Sequence, residues 1–165
     1  MYITYEEYLK WYDPIDQTIF NRLAFEACRV MDKYTTGIDG VRKLRDHFPT
    51  DEADAETVKF TAAQLVNFLH QCHEAEQTAT AVRGYIETDN GIRGKVISAV
   101  SAGNESVSYA TSSTANATAV DEAVKDKSTN DKILFQTVRD GLTGIVDSNG
   151  VNLLYVGVYP RLGVL

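Results

Sequence analysis

Val58-Lys59-Phe60-Thr61-Ala62-Ala63-Gln64-Leu65-Val66-Asn67-Phe68-Leu69-His70-Gln71-Cys72 is the stretch that decides the fold class. Val58, Ala62, Leu65, Leu69 and Cys72 recur at three- and four-residue steps, the spacing that gathers side chains onto one stripe of an α-helix. Upstream, beyond Pro49, Asp51, Glu52, Asp54 and Glu56 stand where carboxylates favour the positive end of a helix dipole. The pattern predicts one long helix from about Ala53 to Ala81, roughly 40 Å at 1.5 Å per residue.

Two further stripes can cover it. Phe20, Leu23, Ala24, Ala27, Met31 and Tyr34 mark a helix starting near Asp16 and stopping near Gly37, and Leu134, Val138, Leu142 and Ile145 mark another, capped by Ser128 or Asn130. These three stripes are the expected core. At the start of the chain Thr4-Tyr5-Glu6-Glu7 fits a capping box, which predicts a short helix through about Tyr12, broken by Asp13-Pro14. Asp39 to Pro49 reads equally as a short helix with a basic outer face or as an irregular loop.

Around Gly91 to Lys95 the period changes to two. Val96, Ser98 and Val100 alternate with Ile97, Ala99 and Ser101, and Gly103-Asn104 supplies a two-residue turn before Val107 and Tyr109. The expectation is a hairpin over 96–111 with Val100 opposite Val107 and Ser98 opposite Tyr109. Val96, Val100, Val107 and Tyr109 then share its more apolar face. Residues 111–129 are rich in Ser, Thr and Ala with little to bury, and read as a flexible loop or a marginal helix. Ser148-Asn149-Gly150 is a turn signal. The tail, 151–165, is more apolar than a free terminus should be, with Val151, Leu153, Leu154, Val156, Val158, Leu162, Val164 and Leu165. Its Val-rich run to Tyr159 suits an extended strand added to a sheet edge, preferably a neighbouring subunit's. The predicted class is mainly α (α+β): a single domain over 1–165, a helical bundle with one long helix, a β-hairpin near 96–111 and an extended C-terminal tail.

A formal net charge of −7 over 165 residues argues against a chain whose main task is gripping a phosphate backbone. Local basic clusters remain, Arg42, Lys43 and Arg45 and separately Arg83, Arg93 and Lys95; the first is a candidate contact patch for a partner or for DNA. The opening residues lack a secretory pattern and no apolar run reaches the roughly 20 residues that span a bilayer, so a cytoplasmic, membrane-free protein is expected. Cys28 and Cys72 sit on helical stripes and read as buried free thiols. His70, Cys72 and His73 beside Glu74 and Glu76 concentrate metal-ligand types, but Cys72 points away from the histidines, so no metal site is expected. No P-loop, GxGxxG, GxSxG or HExxH occurs, and the acids fall on polar helix faces. Neither catalysis nor a cofactor is expected.

The opening Tyr2-Ile3-Thr4-Tyr5-Glu6-Glu7-Tyr8-Leu9, the loop Asp13-Pro14-Ile15-Asp16, and the helix ending Asp32-Lys33-Tyr34-Thr35-Thr36-Gly37 resemble the N-terminal part of head–tail connector proteins of tailed bacteriophages and prophages. The likeness continues through Leu65 to Glu76, the segment Ser98 to Tyr109 and Leu153-Leu154-Tyr155-Val156-Gly157-Val158. The resemblance implies a virion subunit at the head–tail junction, assembled in the bacterial cytoplasm, without catalysis or cofactor. It further implies a closed ring, commonly of about twelve copies, beneath the portal protein, with tail-side proteins docked on it and packaged DNA close by in the channel. On this reading Val96, Val100, Val107, Tyr109, Leu153, Leu154, Tyr155, Val156 and Val158 are the candidate contacts between subunits or with partners. The competing reading is a cytoplasmic helical adaptor or regulator that binds one partner as a dimer, with an unusual enzyme as a third.

Overall fold

The computed structural model describes residues 1–88, 91–96, 100–102, 105–107, 120, 123–124 and 126–160, with side chains described for 1–77, 120, 123–124 and 126–160. The chain is mainly helical. Among the described residues, five named helices form: α1 Tyr5–Tyr8, α2 Gln17–Thr35, α3 Lys43–Asp46, α4 Glu52–Val82 and α5 Lys127–Leu142.

Four of these starts are capped by a side chain, and α3 is not. At α1 the Thr4 hydroxyl accepts from the Glu7 amide at 3.2 Å while the Glu7 carboxylate accepts from the Thr4 amide at 2.8 Å. The helix is one turn rather than the two expected, because Trp11 and Tyr12 both donate to the Tyr8 carbonyl and wind the chain into a turn before Pro14. Asp16 caps α2 by accepting from the Thr18 and Ile19 amides. Asp51 does the same for α4 through the Ala53 and Asp54 amides, both at 3.0 Å. At α5 the cap is Asp126, not Ser128 or Asn130. Its carboxylate accepts from the side chains and the amides of Ser128 and Thr129, so the expected cap residue has become a donor to a stronger acceptor.

The three expected stripes meet. Phe20, Ala27 and Met31 of α2, Val58, Leu65 and Val66 of α4, and Leu134, Val138 and Leu142 of α5 are buried in one cluster. Ile3, Tyr8, Leu44 and Leu153 close it from outside the bundle. The approach of α4 and α5 is tight at Gly141, where a Cβ would collide with the Thr61 hydroxyl. Cys28 and Cys72 are free and buried.

Two antiparallel pairs follow α4. β1 Arg83–Thr88 pairs with β2 Gly91–Val96, and β3 Val100–Ala102 pairs with β4 Glu105–Val107, with Val100 opposite Val107. The single hairpin expected over 96–111 is not the arrangement. Val96 ends an earlier ladder opposite Arg83, and the later pairing spans three residues a side. Arg83-Gly84-Tyr85-Ile86-Glu87-Thr88 carries the aromatic and β-branched residues that suit a strand. The period-two reading began one strand too late. Ser98, Tyr109, the bulk of 111–129 and the tail residues Leu162, Val164 and Leu165 lie outside the described residues.

The tail gives the larger correction. Residues 151–160 form no strand within this chain; among the described residues their bridge is Val146 with Asn152. The Asn152 side chain accepts from the Leu154 amide at 2.8 Å and its carbonyl accepts from the Tyr155 amide, which turns the chain where a strand would run straight. Leu153 then drops into the core of the helical bundle, so the tail is anchored in its own chain.

Candidate assembly surface

The loop after α5 is organised around one buried carboxylate. Asp147 Oδ1 accepts from the Asn149 and Val151 amides, both at 2.9 Å, which shapes the turn that Gly150 completes at φ +75°. Oδ2 accepts from the Tyr159 hydroxyl at 2.6 Å. The Tyr159 ring stacks on His47 with centroids 4.9 Å apart, and the Asn149 side-chain amide donates to the Tyr159 hydroxyl while lying 3.2 Å from His47 Nδ1. Burial, and then the bond to Asp147, pushes the Tyr159 phenol up from its ordinary value.

A second set of ties runs to the loop between α2 and α3. Asp39 accepts from the Tyr159 amide at 2.8 Å and the Val41 amide at 3.2 Å; the Tyr159 amide bond is the main reason its carboxyl is held below the ordinary range. Ile38 N–H donates to the Val156 carbonyl at 3.1 Å. Lys43 is 1% exposed and its ammonium donates to the Tyr155 carbonyl. Burial pushes that ammonium down, and the nearby Asp147 and Asp39 charges oppose the shift. The Tyr155 ring lies close over Gly157, and a Cβ there would make its hydroxyl end swing aside.

The outcome is a backbone pinned by side chains with an apolar outer edge. Ile38 is 79% exposed, Val156 68% and Val158 65%, and Tyr155 is exposed beside them. Of the residues singled out in the tail, Tyr155, Val156 and Val158 reach this edge, Leu154 is half-buried against the core, and Leu153 is inside it. For Val96, Val100 and Val107 the structure gives backbone pairing. The basic patch dissolves: Arg42 and Arg45 are exposed, but Lys43 turns inward to the tail. Ile38, Asp39 and Asp147 were missed. Ile38 falls between the helix stop at Gly37 and the stretch that begins at Asp39, and nothing local marks Asp147 as buried.

Among the described residues no cluster of His, Cys, Asp and Glu could hold a metal ion, and no helix is long and apolar enough to cross a membrane. His73 Nε2 lies 3.2 Å from an Arg22 guanidinium nitrogen and 2.9 Å from the Gln77 amide, while His70 Nδ1 lies 3.8 Å from Glu74, so the two imidazoles face different partners. No known protein family, curated protein or solved structure matches this chain.

Proposed function

We propose that this chain is a structural subunit of a phage head–tail connector ring, docking on the portal protein and giving tail-side proteins a platform at the virion's head–tail junction. The observation that carries the reading is the outer edge formed by Ile38, Tyr155, Val156 and Val158, exposed on a backbone that Asp39, Lys43 and Asp147 hold in place. Contiguous exposed apolar residues mark assembly surfaces more often than they are left wet. Because the loop is already ordered, a neighbour binding there would not have to freeze it. The short β3–β4 pair adds support as an arm between subunits, since a two-stranded ladder leaves edges that another chain can meet. The likeness of the N-terminal residues to connector proteins supplies the architecture, a closed ring of about twelve copies with symmetric contacts.

Negative-stain images of the purified chain test the reading. Annular particles with a central channel are the expected result. Single chains of 18.3 kDa at every concentration would overturn it, and particles no larger than a dimer would favour the adaptor reading instead.

A further inference from the structure

A groove of about 760 Å³ runs beside α1 and α2, comparable in size to pockets that take small ligands, about 300–1,000 Å³. Phe25, 61% exposed, forms one wall, and Tyr2 stacked on Phe48 at 6.0 Å forms another. Three charged side chains line it besides two arginines, and all three are engaged: Glu7 holds Lys59 at 2.7 Å and the Thr4 amide, and Asp32 accepts from the Tyr2 hydroxyl at 2.5 Å. Arg29 and Arg45 are left, exposed and without a salt bridge among the described residues.

We propose that this groove receives the Ile38 edge of a second copy of the chain, with Ile38 and Val156 against Phe25 and the Asp39 carboxylate facing Arg29 and Arg45. The inference rests on the ring reading and specifies its subunit contact. Charge and apolarity match on both sides: the edge joins exposed aliphatic side chains to an exposed carboxylate, and the groove joins exposed aromatic surface to two unpaired guanidinium groups. The edge cannot fill its own groove. Phe25 and Ile38 are thirteen positions apart, along and just beyond α2, roughly 20 Å at helical rise. A contact between two different surfaces is heterologous, so it continues past a pair and closes into a ring where the rotation between copies closes.

Two variants test it, each altering exposed residues and each checked for unchanged helical circular dichroism. Ile38→Asp removes the edge and leaves the groove; Phe25→Glu with Arg45→Glu removes the groove and leaves the edge. Light scattering should show each alone at single-chain mass, because every contact in a uniform ring needs both surfaces. Mixed in equal amounts they should form particles of twice that mass, since one intact edge then meets one intact groove and growth stops. Should the Phe25→Glu, Arg45→Glu chain lose its helical signal, Arg45→Glu alone replaces it, with the same expectation. Either variant retaining wild-type ring mass, or a mixture that stays at single-chain mass, overturns this contact while leaving the ring reading intact. A wild-type chain that is itself single overturns the ring reading.

Discussion

The α2–α4–α5 bundle and the loop of residues 143–160 are held by opposite means. In the bundle, side chains on three stripes exclude water, and no single polar bond decides the arrangement. In the loop Leu153 enters the core with Ile145 and Leu154 partly buried against it, and the path of the chain is set by Asp147, Asp39 and Lys43 bonding to backbone and to Tyr159. Apolar packing hides the residues it uses. Polar pinning does not need the loop's valines inside, which leaves them free to face a neighbour.

The comparison breaks first at the bundle. Leu65→Ala removes a fully buried side chain and should cost about 2–5 kcal/mol by chemical denaturation. An unchanged midpoint would mean that α4 is not central. Gly141→Ala should be the next largest, about 1–3 kcal/mol destabilising, because the added methyl forces α5 away from Thr61 and overpacking outweighs the gain in helix propensity. A rise in melting temperature would show that the two helices have room to shift.

In the loop, Tyr159→Phe keeps the ring on His47 and deletes only the hydroxyl that Asp147 accepts. The loss should be about 1–2 kcal/mol for a buried carboxylate short of one donor, with the helical signal of the folded state unchanged. A neutral result would shift the loop's stability onto Leu153. The smallest effect is at the α5 cap. Hydrogen bonds from Ser128 and Thr129 hold Asp126 at about 2, below its ordinary 3.8. A depressed folded-state carboxyl stabilises above the unfolded value and loses that contribution as pH falls through the folded one. Protection of the Ser128 and Thr129 amides in hydrogen exchange should therefore persist at pH 4 and fade toward pH 2. Protection already lost at pH 4 would contradict the cap.

How much of this was legible depended on the range of the signal. Helix stripes repeat over fifteen or so residues, so Phe20 to Tyr34, Val58 to Cys72 and Leu134 to Ile145 could be read and matched from spacing alone. Capping was half legible: Thr4 with Glu7 announced itself, whereas Asp126 was hidden because Ser128, itself a good cap, stood two residues on. The tail misled because Val-rich composition is shared by strands and by loops whose bonds are supplied from elsewhere. Nothing in Val151 to Tyr159 records that Asp39 and Lys43, more than a hundred positions earlier, bond to its backbone. At the exposed apolar edge, Val156 and Val158 lie in the segment that composition marked, whereas Ile38 became visible only once its amide was seen on Val156.

The central claim is that the loop's outer edge serves assembly and not folding. Its most direct test is the light-scattering mass of a Val156→Ser, Val158→Ser chain, measured beside its thermal melt. Both residues are largely exposed, so the melt should match wild type within the ±0.5 kcal/mol usual for surface changes, while the mass falls from ring size to a single 18.3 kDa chain. A mass equal to wild type with the same melt would contradict the account, as would a fall in mass that comes only with lost stability.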